Sequence, residues 1–128
     1  MDAEIDAKTF WKAIGCRAIG VAIVTAKGAD GPAGFLALSA THLSASPPMM
    51  MVSIGLTTSA LGAVRQSNHF AINYVPKGAD ALVREFAGQG TLKGADRFLP
   101  GAWSELKTGA ATLGVCVGGI VCRLDRMV

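Results

Sequence analysis

Residues 34–61, GFLALSATHLSASPPMMMVSIGLTTSAL, place two hydroxyl-rich loops at the two ends of one apolar run. The run after Pro47-Pro48, from Met49 to Ile54, is short and almost continuously apolar, which predicts a strand buried on both faces. Thr57, Thr58 and Ser59 then fall where that strand should give way to a helix, Ser59 to Gln66. A helix N-terminus presents unpaired backbone N–H groups and a partial positive charge, so hydroxyls placed there suit a phosphate. The same residues also make an ordinary cap, with Thr58 or Ser59 satisfying an amide of the first turn.

Upstream, Phe10, Trp11, Ile14 and Ala18 recur at helical spacing between Asp6 and Arg17, with Asp6 as the N-cap. The segment GVAIVTAKGADG carries Val21, Ile23 and Val24 into a Gly28 to Gly31 turn, and GFLALSA returns as the second strand of a hairpin. Downstream, FAINYV reads as a strand with Phe70 and Ile72 on one face and Ala71 and Asn73 on the other, stopped by Pro76. Gly78 to Ala87 is a further helix, with Leu82, Val83 and Phe86 at helical spacing. A long irregular connection holding Asp96-Arg97-Phe98 and Trp103 leads to Ala110. The closing GVCVGGIVCRLDRMV is a half-buried strand in which Ile120, Cys122 and Leu124 alternate with Val121, Arg123 and Asp125, and Gly118-Gly119 marks a bulge or bend. Short strands with helices between them, without strict alternation, predict a mainly β fold: a small antiparallel barrel with appended helices.

A chain of 128 residues is one domain, residues 1–128, able to bury roughly two-thirds of its unfolded surface. Hydrophobic residues make up 51% and charged residues 16%, which leaves too little polar surface for a monomer and points to an apolar interface with a second copy. No apolar run approaches the ~20 residues needed to cross a bilayer, so no membrane helix is expected. MDAEIDAKTFWK opens on acids rather than on the basic-then-apolar order of a secretory signal, so the expected location is the cytoplasm. Three cysteines without a Cys-x-x-Cys spacing argue against a disulfide framework or a zinc site. Cys116 and Cys122 are evenly separated, which predicts small core residues on one strand face. The net charge of +3 is spread along the chain, which gives no support to nucleic-acid binding.

Side chains able to do acid–base or nucleophilic chemistry are scarce. His42 and His69 are the only histidines, the acids are scattered, and nothing clusters as a metal site would. Hydride transfer asks for none of these, because the cofactor carries the chemistry while the protein positions it. No catalytic side chain and no metal are therefore assigned.

Taken in order, Phe10-Trp11-Lys12-Ala13-Ile14-Gly15, Gly20-Val21-Ala22-Ile23-Val24-Thr25, the hairpin, Gly34 to Ser44, Pro47-Pro48, Phe70-Ala71-Ile72-Asn73, Arg97-Phe98 and Trp103 resemble the flavin reductase family, whose fold is the FMN-binding antiparallel split β-barrel. The resemblance covers nearly the whole chain. It implies a homodimeric NAD(P)H:flavin oxidoreductase in which NADH or NADPH reduces FMN or FAD, and the reduced flavin serves a separate monooxygenase. It also implies where the cofactor lies. The segment Phe35, Leu36, Ala37, Leu38 and Ser39 runs along the isoalloxazine ring through backbone groups, with Ser44 close by. Leu56, Thr57, Thr58 and Ser59 hold the phosphate, Asn73 lies near the ligand, and Arg97 and Phe98 lie near the cofactor pocket or the dimer partner.

The chain departs from the family pattern at several positions. Leu36-Ala37-Leu38-Ser39 stands where Thr-Ala-Asn-Ser is usual, so ring recognition falls to backbone groups and packing. Leu56 stands about where a basic residue is common, which weakens phosphate holding unless Arg17, Lys27, Arg84 or Arg97 reaches in. Family members continue past the last strand through a Gly-Asp-His motif, so the barrel is expected to be incomplete at the C-terminus. Two other functions fit the residues: a non-catalytic flavin-binding or related ligand-binding split-barrel module, and a structural dimerisation domain whose hydroxyl loops are turns and caps.

Overall fold

In the computed structural model, which describes residues 3–128, the elements run α1 (Ala7–Ile14), β1 (Ala22–Gly28), β2 (Gly31–Ala37), β3 (Thr41–Ala45), β4 (Pro48–Met51), α2 (Ser59–Ser67), β5 (His69–Tyr74), α3 (Asp80–Phe86), a 3-10 turn (Gly94–Arg97), β6 (Trp103–Glu105), β7 (Ala111–Leu113) and β8 (Gly118–Arg123). The strands form a four-stranded sheet in the order β2-β1-β5-β8 and two separate hairpins, β3-β4 and β6-β7. Among the described residues these sheets do not close into a barrel. The chain is mainly β with three helices, as its short strands predict.

Alternation along β1 and β5 builds the core. Ala22, Val24 and Ala26 share a face with Phe70 and Ile72, and this face packs against Ala63 and Val64 of α2. Their neighbours Ile23, Thr25, Ala71 and Asn73 turn the other way. There the Thr25 hydroxyl donates to the Ala111 carbonyl, and the Asn73 Oδ1 accepts from the Leu113 amide at 2.9 Å, so β7 is pinned across the sheet. Covered on both sides, Ala22 through Ala26 are fully buried.

The hairpin reverses at Ala29-Asp30, with Gly31 at φ 101°, a conformation a side chain would strain. Gln66 of α2 clasps it by accepting from the Ala29 amide at 2.8 Å. Asn68, left-handed at φ 56°, ends α2 and feeds β5.

Several expectations change. The strand expected over Met49 to Ile54 is β4, Pro48–Met51, and it pairs with β3 as a half-exposed hairpin instead of lying buried on both faces. β3 itself occupies part of the hydroxyl-rich stretch read as loop. Only Met50, Val52 and Ile54 lean on the core, which accounts for the apolar signal. Gly118 and Gly119 do not form a bulge; they pair in regular register with Tyr74 and Asn73. Cys116 precedes β8, so it shares no strand face with Cys122. The long connection contains the 3-10 turn and β6, and it leads directly into β7. α1 is capped as expected, the Asp6 carboxylate accepting from the Thr9 amide at 2.7 Å, but it buries no residue and leaves Phe10 48% and Trp11 60% exposed.

Candidate functional site

β2 is an edge strand, paired to β1 on one side only. On its free side the Arg97 guanidinium donates from Nη2 to the Gly34 carbonyl at 2.8 Å. Backbone polar groups alternate sides along an antiparallel strand, so the N–H and C=O of Leu36, two residues on, face outward as well. Phe35 and Ala37, opposite Val24 and Ala22, turn their groups toward β1.

A cleft of about 420 Å³ opens along this edge, lined by all of Phe35–Ser39 and by Ser53, Gly55, Thr58, Phe86 and Ala87. That volume lies within the roughly 300–1,000 Å³ of small-molecule sites. Ser39 Oγ accepts from the Ser53 amide at 3.2 Å and ties the segment just after β2 to the extended segment between β4 and the Gly55–Thr58 turn. The turn closes when the Thr58 amide donates to the Gly55 carbonyl at 3.0 Å. Thr58 is the N-cap of α2, yet its side chain makes no capping bond. Its hydroxyl has no partner in the fold and, beside exposed Ser59, is available to an anion at one end of the cleft, while the Leu61 amide of the first turn donates to the Thr58 carbonyl at 3.0 Å. This donor set fits a flavin nucleotide: outward backbone groups for a planar heterocycle, and a helix N-terminus with hydroxyls for its phosphate.

The structure brings together Phe35, Leu36, Ala37, Leu38, Ser39 and Thr58. Thr57 and Ser59 flank Thr58 and are exposed, and Leu56 stands 87% exposed at the same turn. Ser44 lies apart on β3, its Oγ accepting from the Ser46 amide at 3.2 Å. Asn73 is fully buried and occupied, donating to the Ile23 carbonyl at 3.0 Å and accepting from Leu113; it lines neither this cleft nor the second one described below.

Arg97 and Phe98 sit behind β2. The guanidinium lies 4.6 Å above the Phe86 ring, and Phe98 packs edge-on to Phe86 at 5.2 Å and against Trp103 at 4.9 Å. A Cβ on Gly34 would stand 3.1 Å from both Phe86 and Phe98, so only glycine admits this packing at ease. Burial holds the Arg97 guanidinium below its ordinary value, and Glu85 partly offsets this. Both residues reach the cleft indirectly, through the Gly34 backbone and Phe86.

Ser53, Gly55, Phe86 and Ala87 escape a sequence reading of the site. Phe86 is legible only as a helix core position, and Ser53 is hidden inside an apolar run. The possible compensating cations are placed elsewhere. Lys27 pairs with Glu105 at 2.8 Å, Arg97 is engaged by Gly34, Arg17 lines the second cleft, and Arg84, in the last turn of α3, lines neither cleft. No titratable side chain lines the first cleft. His69 is held by its Nδ1 at 2.8 Å from the Ser67 carbonyl, and no group of three metal-ligating side chains occurs among the described residues. Any redox chemistry there belongs to a bound cofactor.

Comparison with known proteins agrees with this geometry. The family model described as "Flavin reductase like domain" matches residues 14–128. A Methylorubrum extorquens protein described as FMN reductase (NADH) RutF 1 is 30% identical over 94% of this chain and 59% of its own length. The Bradyrhizobium diazoefficiens FMN reductase (NADH) RutF is 31% identical over 94% of this chain and 66% of its own. The chain thus spans about three-fifths of the length of the Methylorubrum extorquens relatives it matches. The solved NADH:FAD oxidoreductase SgcE6 of Streptomyces globisporus C-1027 superposes with a TM-score of 0.82 at 25% identity, over 98% of this chain and 76% of that one. With a family match over residues 14–128, nearly all its length, the chain belongs to the flavin reductase like domain family.

Proposed function

We propose that this chain binds FMN and passes to it a hydride from NADH, as a flavin reductase. The observation that carries the reading is the cleft itself: an outward-facing strand edge at Leu36, an unpartnered Thr58 hydroxyl at the start of α2, and no titratable wall. The RutF relatives, named for FMN and NADH, favour those partners over FAD and NADPH.

In this reading the backbone of Leu36 pairs with the polar edge of the ring, and Phe35, Leu38 and Phe86 supply apolar walls that exclude water. Thr57, Thr58 and Ser59, at the positive end of α2, hold the phosphate. Arg97 and Phe98 keep β2 and Phe86 in place. Asn73 acts at one remove, by fixing β7 to the sheet. When bound, the flavin supplies a ring that accepts a hydride, two electrons and one proton, the second proton coming from water.

The assembly belongs to the same proposal. Phe10 and Trp11 of α1, with Leu43 and Met51 of the β3-β4 hairpin, are exposed apolar side chains suited to a homodimer interface. A separate monooxygenase that consumes reduced flavin is the natural partner. The three free thiols suit a cytoplasmic setting, and no helix among the described residues is long and apolar enough to cross a membrane. Residues 1–128 are taken as one domain. FMN titration followed by flavin fluorescence tests the reading: saturable uptake near one FMN per chain is expected, and no uptake overturns it. A sharply monomeric species in sedimentation would remove the homodimer.

A further inference from the structure

A second cleft of about 440 Å³ lies at the other side of the end of β2. It shares Leu38 and Ser39 with the first, and its remaining walls include Arg17, Thr41 and Tyr74. We propose that this cleft receives the phosphate-bearing part of the nicotinamide dinucleotide, with Arg17 as the residue that reads its phosphate. The inference rests on the flavin reading of the first cleft.

Position is the first argument. A hydride donor must bring its ring to within about 3–3.5 Å of the acceptor. An acceptor laid along Phe35–Ser39 ends at Leu38-Ser39, and the second cleft opens from that shared wall. Leu38 lines both clefts and is 43% exposed, so an apolar side chain, not a charge, flanks the place where the two ligands would meet.

Chemistry is the second. Ser39, Thr41 and Tyr74 present hydroxyls and Arg17 presents a guanidinium, while no carboxylate lines the cleft. Cations and hydroxyls without an opposing acid match a ribose phosphate. Among the described residues Arg17 has no ion pair and no side-chain hydrogen bond, so its guanidinium is not committed to the fold. The Tyr74 ring is fixed against Gly20, 3.6 Å from where a Cβ would stand, and offers a flat wall for a base or nicotinamide.

The test uses the full chain and three measured affinities: NAD⁺ with and without FMN present, FMN, and FAD. Arg17→Ala is expected to weaken NAD⁺ binding and raise the KM for NADH about three- to tenfold, with Arg17→Lys recovering part of the loss. FMN and FAD affinities should stay within about twofold of wild type. Unchanged NAD⁺ binding in Arg17→Ala overturns the assignment. So does a selective loss of FAD affinity, which would give the cleft to the adenylate half of a flavin. Because NAD⁺ is also titrated without FMN, wild-type protein that takes up no flavin defeats the first-cleft reading separately and leaves the Arg17 effect measurable.

Discussion

The Arg97 guanidinium donates to the Gly34 carbonyl at 2.8 Å, joining the 3-10 turn to the residue immediately before the cleft wall. The same side chain covers Phe86, which lines the cleft. Removing it frees the outer edge of β2 and one ring of the aromatic cluster together. Arg97→Ala should weaken FMN binding roughly tenfold and lower stability by about 1–3 kcal/mol, as expected for a lost charge-assisted bond to a half-buried carbonyl. Thermal melts and flavin titration check both. Equal loss in Arg97→Lys would point to the forked geometry of arginine, because lysine keeps the charge and loses the second nitrogen.

Leu36 offers a sharper test of backbone recognition. Its N–H faces outward and takes no part in the β1-β2 ladder, and edge strands accept proline where that is so. Leu36→Pro should weaken FMN binding about tenfold while shifting the melting temperature little, and Leu36→Ala should change affinity less than about threefold. If Leu36→Ala is as damaging as Leu36→Pro, the side chain and not the amide does the binding.

Leu56 gives the converse case. It is exposed at the turn that leads into α2, next to the open helix N-terminus. A cation there adds a charge-assisted contact to the phosphate, so Leu56→Lys should tighten FMN binding by up to roughly tenfold at low salt and less at high salt. Riboflavin, which lacks the phosphate, should show no gain.

Asp6 predicts a local acid response. Its pKa is lowered by the hydrogen bond from the Thr9 amide, so the cap favours the ionised form. A depressed folded-state pKa gives a contribution present above the unfolded value and lost as pH falls through the folded one. α1 should therefore fray below the ordinary carboxylate range, seen as a loss of protection at the Thr9 amide in NMR, and Asp6→Ala should abolish that pH dependence.

Where a residue's fate depends on local pattern, the sequence was readable. The parity of Phe70 and Ile72 against Ala71 and Asn73 places each on its observed face. The Gly28 to Gly31 turn and the Asp6 cap follow from their local chemistry. Partners distant in sequence were hidden. Thr41–Ala45 is too polar and short to declare itself a strand until Pro48–Met51 pairs with it. The amphipathic spacing of α1 predicts a helix but not that its apolar side would face outward. The family resemblance implied a place near the ligand for Asn73; its partners come from β1 and β7, 50 and 40 residues away. In the cleft, Phe35–Ser39 and Thr58 were legible as consecutive motifs, whereas Phe86 arrives from α3 through packing alone.

We propose that the edge-strand cleft holds FMN where NADH can reduce it. Purified protein loaded with FMN should be mixed with NADH without oxygen and followed at the flavin absorption band. Rapid bleaching that scales with protein and is slowed by Leu36→Pro is the predicted result. Protein that binds FMN through this cleft but leaves its colour unchanged on NADH addition would contradict the claim.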